Sequence, residues 1–234
     1  MLNFSELAKE AHILLNSENK EGKSSFQKSK NAIKQLFVNS EIPYKQLVLL
    51  RLGIIDDFYS TNINKSNDAI FILSEDIVNL GDDKVLKEKF IHFYNDEKYT
   101  DRDILQLFDK RRGWVLDKST QKIKNGNKSI SLISKYAYFL TDFNFPIYDS
   151  MMRKMLEKFG RKVKNEDVVQ YFREVKDLCD SNKISVDELD ACGWLMGKMK
   201  EASKTNSSKA SFIGEISAYS NFYNKARNYF NNKF

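Results

Sequence analysis

Apolar residues recur at helical spacing along most of the chain. Leu2, Phe4, Leu7, Ala8, Ala11, Leu14 and Leu15 predict an amphipathic first helix. The polar stretch from Asn16 to Ser25 contains Gly22 and predicts a loop. Ala32, Ile33, Leu36 and Phe37 predict a second helix that ends before Ile42-Pro43. A strongly apolar helix follows from about Tyr44 to Tyr59, with Leu47, Leu50, Ile54, Ile55 and Phe58 available for burial. Asp68 to Leu80 predicts another, stopped by Gly81, and Val85 to Tyr94 and Asp101 to Arg111 predict two short ones.

The second half continues in the same period. Ser131 stands where a cap belongs, ahead of Ile133, Tyr136, Ala137 and Leu140. The link from Thr141 to Pro146 stops that helix, because the residue before a proline avoids helical dihedrals. Asp149 precedes Met151, Met152, Met155 and Leu156 at an N-cap position. Val168, Val169, Phe172, Val175 and Leu178 mark a further helix. Ser185 and Glu188 form a capping-box pattern ahead of Leu189, Cys192, Leu195, Met196 and Met199. Lys200 to Lys209 reads as a polar loop. The aromatic stripe Phe212, Tyr219, Phe222, Tyr223, Tyr229 and Phe230 predicts a last helix that docks on the core.

Composition agrees with a helical chain. Only 2 prolines and 9 glycines occur in 234 residues, too few for the many tight turns of a sandwich or barrel. The 41% of hydrophobic residues suffices for a packed core, and the expectation is an all-α fold in one domain, with the option of two lobes. No leader and no membrane-spanning run is evident. Cys179 and Cys192 are too few for a disulfide framework or a cysteine-based metal site, which suits a reducing, cytoplasmic setting. His12 and His92 lack partners at metal-ligand spacing.

The net charge of +6 favours a polyanionic partner only modestly. The most basic stretch runs from Lys110-Arg111-Arg112-Gly113-Trp114 through Lys118, Lys122, Lys124 and Lys128. Lysine and arginine neutralise phosphates, and an exposed tryptophan stacks on a base, whereas a buried one would only pin the loop. This stretch leads directly into the helix that carries Lys135. Asp56 and Asp57 form a second, acidic candidate near a helix C-terminus, where they oppose the helix dipole.

Lys135 in one helix, then Pro146, then Asp149 opening the next helix, resembles the helix-hairpin-helix DNA glycosylases. The phrases SKYAYFL and FPIYDSMMRKML are most similar to the bacterial branch related to 8-oxoguanine DNA glycosylase. The likeness covers about thirty residues. It implies a two-lobed all-α fold with the N-terminal helix packed on the C-terminal helices, and a cleft near residues 110–156. It implies that Lys135 attacks the sugar C1′ of a flipped nucleotide and forms a Schiff base, while Asp149 assists and stabilises the cationic sugar. The partner would be double-stranded DNA containing a damaged base, such as an oxidised purine, bound by a monomer. No metal or cofactor is implied, and no cysteine pattern for an iron–sulfur cluster is present.

Apolar surroundings favour a neutral lysine amine, the nucleophilic form, and helix amides favour a charged carboxylate. Arg111, Arg112 and Lys128, with Ser131 and Ser134, are the candidate DNA contacts. The family's hairpin carries two glycines that approach a phosphate, and here Ser131 and Ile133 occupy those positions. That departure favours an alternative: a catalytically inactive helical DNA-binding or protein-interaction module on the same fold. A third option is a metal-dependent enzyme using Asp56 and Asp57.

Overall fold

The computed structural model describes residues 3–16, 18–19, 22–23, 25–38, 41–61, 63, 66–117, 119–204 and 217–230. Among them the chain is predominantly α-helical, with two short antiparallel β-ribbons. It divides into two compact units. One combines Met1–Lys28 with Asp149–Phe234, and the other is Ser29–Tyr148. Among the described residues no helix is long and apolar enough to cross a membrane.

The unit formed by the two chain ends contains α1 (Phe4–Asn16), α8 (Ser150–Lys158), α9 (Val168–Asn182), α10 (Val186–Lys204) and α11 (Ser217–Tyr229). Helix α1 buries Phe4, Leu7, Ala8, Ala11 and Leu15, the stripe its spacing predicts, and packs on α10 and α11. The N-terminal helix therefore packs with the C-terminal helices, as expected. Phe4 meets Phe159 and Phe230 edge-on, with ring centroids 4.6 and 6.2 Å away. The capping box at the head of α10 is formed in both directions: Glu188 N donates to Ser185 Oγ at 3.1 Å, and Ser185 N to Glu188 Oε2 at 2.7 Å. His12 of α1 lies 3.1 Å from Asp187 of α10. Cys179 and Cys192 are buried free thiols, and burial pushes the Cys179 thiol up to about 12.

The other unit is built around α7 (Ile130–Leu140). Every residue of this helix except Ser131 is buried. It packs against α3 (Tyr44–Tyr59), α5 (Asp83–Asn95) and α6 (Arg102–Asp109), while α4 (Ala69–Leu80) lies against α3. A helix surrounded in this way needs apolar residues all round, and its sequence ISLISKYAYFL provides them at nearly every position. Below it, Phe145 stacks among Phe90, Tyr94 and Phe108 at 5.3 to 6.2 Å between ring centroids.

A buried cation ties this unit together. Arg51, in the middle of the apolar α3, is 1% exposed. Its guanidinium donates to both carboxylate oxygens of Asp83 at 2.7 and 2.8 Å, and its Nε donates to the Leu36 carbonyl at 2.8 Å. It also approaches the Tyr136 hydroxyl at 3.4 Å and lies 4.3 Å from the Phe37 ring centroid. Burial, the largest single influence, acts to lower the Arg51 pKa, but the hydrogen bonds to Asp83, the interactions with Tyr136 and the Asp83 charge together outweigh it, and the net shift is upward. Burial pushes the Tyr136 phenol up to about 12, against the opposing Arg51 charge.

The helices lie where the hydrophobic period predicts them, with small shifts at their ends. Helix α6 ends at Asp109 rather than Arg111, because Arg111 already bridges to Lys128 at the base of a ribbon that periodicity does not reveal. Its strands are β3 (Trp114–Asp117) and β4 (Lys122–Asn125), paired in register Trp114–Asn125 through Asp117–Lys122. A second ribbon pairs β1 (Glu18–Asn19) with β2 (Gly22–Lys23) inside the segment predicted as a loop, and α2 (Ser25–Gln35) follows it. The N-cap of α7 is Ser129, not Ser131, and its side chain makes no capping bond. Helix α10 continues to Lys204, into the stretch predicted as a loop. Leu2, Lys118, Phe212 and the rest of the predicted loop beyond Lys204 lie outside the described residues.

The base of the β3–β4 ribbon is clamped at close quarters. Gly126 N donates to the Gly113 carbonyl at 2.9 Å, and Asn67 exchanges backbone bonds with Trp114 at 2.9 and 3.2 Å. A Cβ on Gly126 would lie 1.8 Å from the Arg112 carbonyl oxygen, and one on Gly113 would lie 1.9 Å from that of Asn67. Only glycine permits these approaches.

Two outcomes follow from this packing. Asp83→Ala strands a buried guanidinium and is expected to cost about 3 kcal/mol in urea denaturation; a loss below about 1 kcal/mol would contradict the keystone role. Gly126→Ala forces backbone apart at the ribbon base and is expected to cost about 1–3 kcal/mol. Hydrogen exchange at residues 111–128 should rise more than exchange in α7.

Candidate functional site

Lys135 is 3% exposed, although a helical projection sets it away from the centre of the apolar face of α7. The projection misleads because α7 is enclosed by neighbours and has no solvent side of its own. The lysine is therefore neither a solvated side chain nor one facing open solvent. Its ammonium nitrogen lies 2.7 Å from Ser131 Oγ, one turn back, and 5.4 Å from the Tyr59 ring centroid. Ser131 thus acts as a partner of the lysine rather than as the helix cap. Nothing in the local spacing around Tyr59 signals that its ring flanks Lys135.

Ser134 is fully buried and works as a brace. Its hydroxyl donates to the Ser131 carbonyl at 3.0 Å and accepts from the Tyr148 amide at 2.9 Å. This corrects its assignment as a DNA contact, since the side chain is fully buried and its hydroxyl hydrogen and one lone pair are used inside the protein. Tyr148 directly precedes Asp149 in the chain. Asp149 is the N-cap of α8, and its Oδ1 accepts from the Met152 amide at 2.9 Å, as its position predicts.

The turn after α7 is strained and braced. Asp142 and Phe143 both adopt left-handed backbone angles, φ 55° and 68°. Such a conformation costs a non-glycine residue about 1–2 kcal/mol. Lys34 and Lys87 both donate to the Asp142 carboxylate, tying the turn to α2 and α5. Lys30, itself 4% exposed, sits 4.0 Å from the Phe143 ring centroid. The two lysines hold the Asp142 carboxyl below the usual carboxylate range by hydrogen bonding.

The basic stretch splits into different fates. Arg112 is buried: it donates to Asp76 Oδ2 at 2.7 Å and to the Leu107 and Lys110 carbonyls at 2.8 and 3.0 Å. It anchors the end of α6 to α4 and is corrected from a DNA contact to a structural cation, its pKa lowered by burial against the pull of Asp76. Lys128 pairs with Asp109, and Lys110 with Asp76 at 2.6 Å. Arg111 is exposed, and its backbone bridges to Lys128. Trp114 is 40% exposed, neither pinned in the core nor fully open, and its Nε1 donates to Asp68 Oδ2 at 3.3 Å.

A cavity of about 190 Å³ opens where Asn127, Lys128 and Ser129 lead into α7, facing Thr61 and Ser66. It is smaller than the ~300 Å³ lower bound of ordinary ligand pockets. Asp56 accepts from Thr61 Oγ1 and from the Ile63 amide at 3.3 Å, closing the turn after α3, while Asp57 is exposed. The carboxylate of Asp56 is thereby occupied, and no group of three or more metal-ligating side chains occurs among the described residues.

Compared with models of protein families, with curated proteins and with solved structures, the chain matches none.

The Asp142 brace sets a pH dependence. Its folded pKa is depressed, so its contribution is present above the unfolded value of ~3.9 and is lost as pH falls through the folded value. Asp142→Asn is expected to cost under about 1 kcal/mol at neutral pH, because the carboxylate is half exposed. The gap between wild type and variant should hold steady down to about pH 5 and narrow as pH falls below the unfolded value of ~3.9. A gap constant with pH would exclude the charge as its source.

Proposed function

We propose that the chain is a base-excision DNA glycosylase with lyase capacity, of the helix-hairpin-helix type, acting on an oxidised purine in duplex DNA. Lys135 is the nucleophile: its neutral amine attacks C1′, the base departs with the bonding pair, and the opened sugar remains as a Schiff base. Asp149 stabilises the positive charge that develops on the sugar. The target nucleotide must leave the stack, because its glycosidic carbon is shielded in the duplex.

One observation carries the reading. Lys135 is buried within α7, with its amine on the Ser131 hydroxyl and beside the Tyr59 ring. Burial in apolar surroundings favours a neutral, nucleophilic lysine, and such costly placements concentrate at functional sites. The predominantly helical fold, with α1 packed on α10 and α11, is compatible with that scaffold.

A second reading is a catalytically silent helical DNA-binding module. It is favoured by Ile133, which stands at a position where the resembled family has a hairpin glycine and is fully buried within α7. The connection from α6 to α7 is also a β-ribbon rather than a tight hairpin.

Borohydride trapping on a panel of damaged duplexes separates the two. Wild type is expected to give a covalent adduct with one lesion class, and Lys135→Met, which keeps the volume of the side chain, is expected to give none. Base release is measured on the same panel, and circular dichroism checks that the variant folds. An adduct that persists in the variant would assign the chemistry to another amine. Absence of both adduct and base release, with duplex binding retained, would establish the silent module.

A further inference from the structure

Five of the six methionines of the chain fall on two helices: Met151, Met152 and Met155 on α8, and Met196 and Met199 on α10. The two helices pack on one another within the unit formed by the chain ends. The residues that α8 buries are Met152, Met155 and Leu156, so most of its grip on the core is thioether. Facing these methionines, α10 carries Gly193 and Gly197, one turn apart. Glycine weakens a helix interior, and here the close seat of two sulfurs offsets that cost. A Cβ on Gly193 would lie 2.7 Å from Met152 Sδ, and one on Gly197 would lie 2.8 Å from Met151 Sδ. The groove has no room for a methyl group between glycine and sulfur.

The two sulfurs differ in access. Met152 is buried, whereas Met151 is half-buried and within reach of a small solute. The thiols do not compete for an oxidant. Cys179 and Cys192 are buried, and burial raises both above the ordinary thiol range, so they stay protonated and inert. A thioether needs no deprotonation to react.

We propose that Met151 is an oxidation site for hydrogen peroxide, and that its sulfoxide releases α8 from the glycine groove of α10. A sulfur lone pair attacks one peroxide oxygen and the O–O bond breaks. The departing hydroxide takes the proton left on the transferred oxygen and leaves as water. Sulfur is oxidised by two electrons, and the peroxide is reduced by the same two. The sulfoxide is polar and one atom larger, in a groove whose floor offers glycine carbon and no spare room. Overpacking of this kind shifts backbone, and the short α8 is the element free to yield. Asp149 caps the first turn of α8, so the same displacement reaches the carboxylate that the proposed function uses. The oxidation site itself does not rest on that reading.

The test treats the full chain with hydrogen peroxide and locates the oxidised residues by peptide mass spectrometry. Met151 is expected to gain one oxygen before Met152, Met155 and Met196, which are buried. In the singly oxidised protein, amide exchange in α8 is expected to be about tenfold faster than before treatment, with exchange in α7 unchanged. Methionine sulfoxide reductases acting on both sulfoxide epimers should restore the original rate. Met151→Leu, close in volume and without sulfur, should exchange like untreated wild type and stay so in peroxide. The reversal is read on wild type alone, so the test does not depend on how the variant folds.

Oxidation of a buried methionine or cysteine ahead of Met151 overturns the proposal. So does α8 exchange that is unmoved in the singly oxidised protein, or equally accelerated in peroxide-treated Met151→Leu. Borohydride trapping reads the other proposal separately. An α8 response without any adduct upholds the oxidation site while the glycosylase reading fails, and an adduct without an α8 response does the reverse.

Discussion

The Ser29–Tyr148 unit depends on one charge inside an apolar helix. Arg51 holds Asp83 of α5, the carbonyl at the end of α2, and Tyr136 of α7 from a position that is 1% exposed. A buried guanidinium is costly unless its donors are satisfied, so the helices it touches have little freedom to separate. It therefore fixes the face that α3 presents to α7. On that face Tyr59, two turns beyond Arg51, reaches Lys135. The keystone and the candidate lysine share the same pair of helices.

Helix α7 connects packing with chemistry. Ser131, Ser134 and Lys135 are its polar residues outside the tyrosines, and all three are committed. Ser134 holds the returning chain at Tyr148, Ser131 receives the lysine amine, and the strained turn at Asp142 and Phe143 is fastened by Lys30, Lys34 and Lys87. The backbone strain at two consecutive non-glycine residues is stored directly after the helix that bears Lys135. Strain of that kind persists only where the surroundings over-determine it. Here three lysines provide the surroundings.

The helices were legible because each carries an uninterrupted apolar stripe, and the capping box at Ser185 and Glu188 and the N-cap at Asp149 were legible because they use local chemistry. The ribbons were not. Strands of two and four residues carry too little alternation to be distinguished from loops, and β4 (KIKN) is exposed at every position. The burial of Lys135 was hidden for another reason. Periodicity assigns one inner face to a helix, while α7 is surrounded. Arg51 was invisible in the same way, since its partner Asp83 is thirty-two residues away.

The basic stretch shows how the same residue types separate once they are folded. Sequence treats Arg111 and Arg112 alike. The structure turns Arg112 inward to cap the last carbonyls of α6 against Asp76 and leaves Arg111 exposed. Alternation along an extended chain forces this division, because neighbouring side chains point to opposite sides. In the ribbon beyond it, the strand register places Trp114, Leu116 and Ile123 together on one exposed face. A segment that carries all of the net charge thus also presents an exposed apolar strip. Charge alone draws a polyanion near without orienting it, and an apolar strip alone would aggregate. Both features are carried on one clamped ribbon, on its opposite faces.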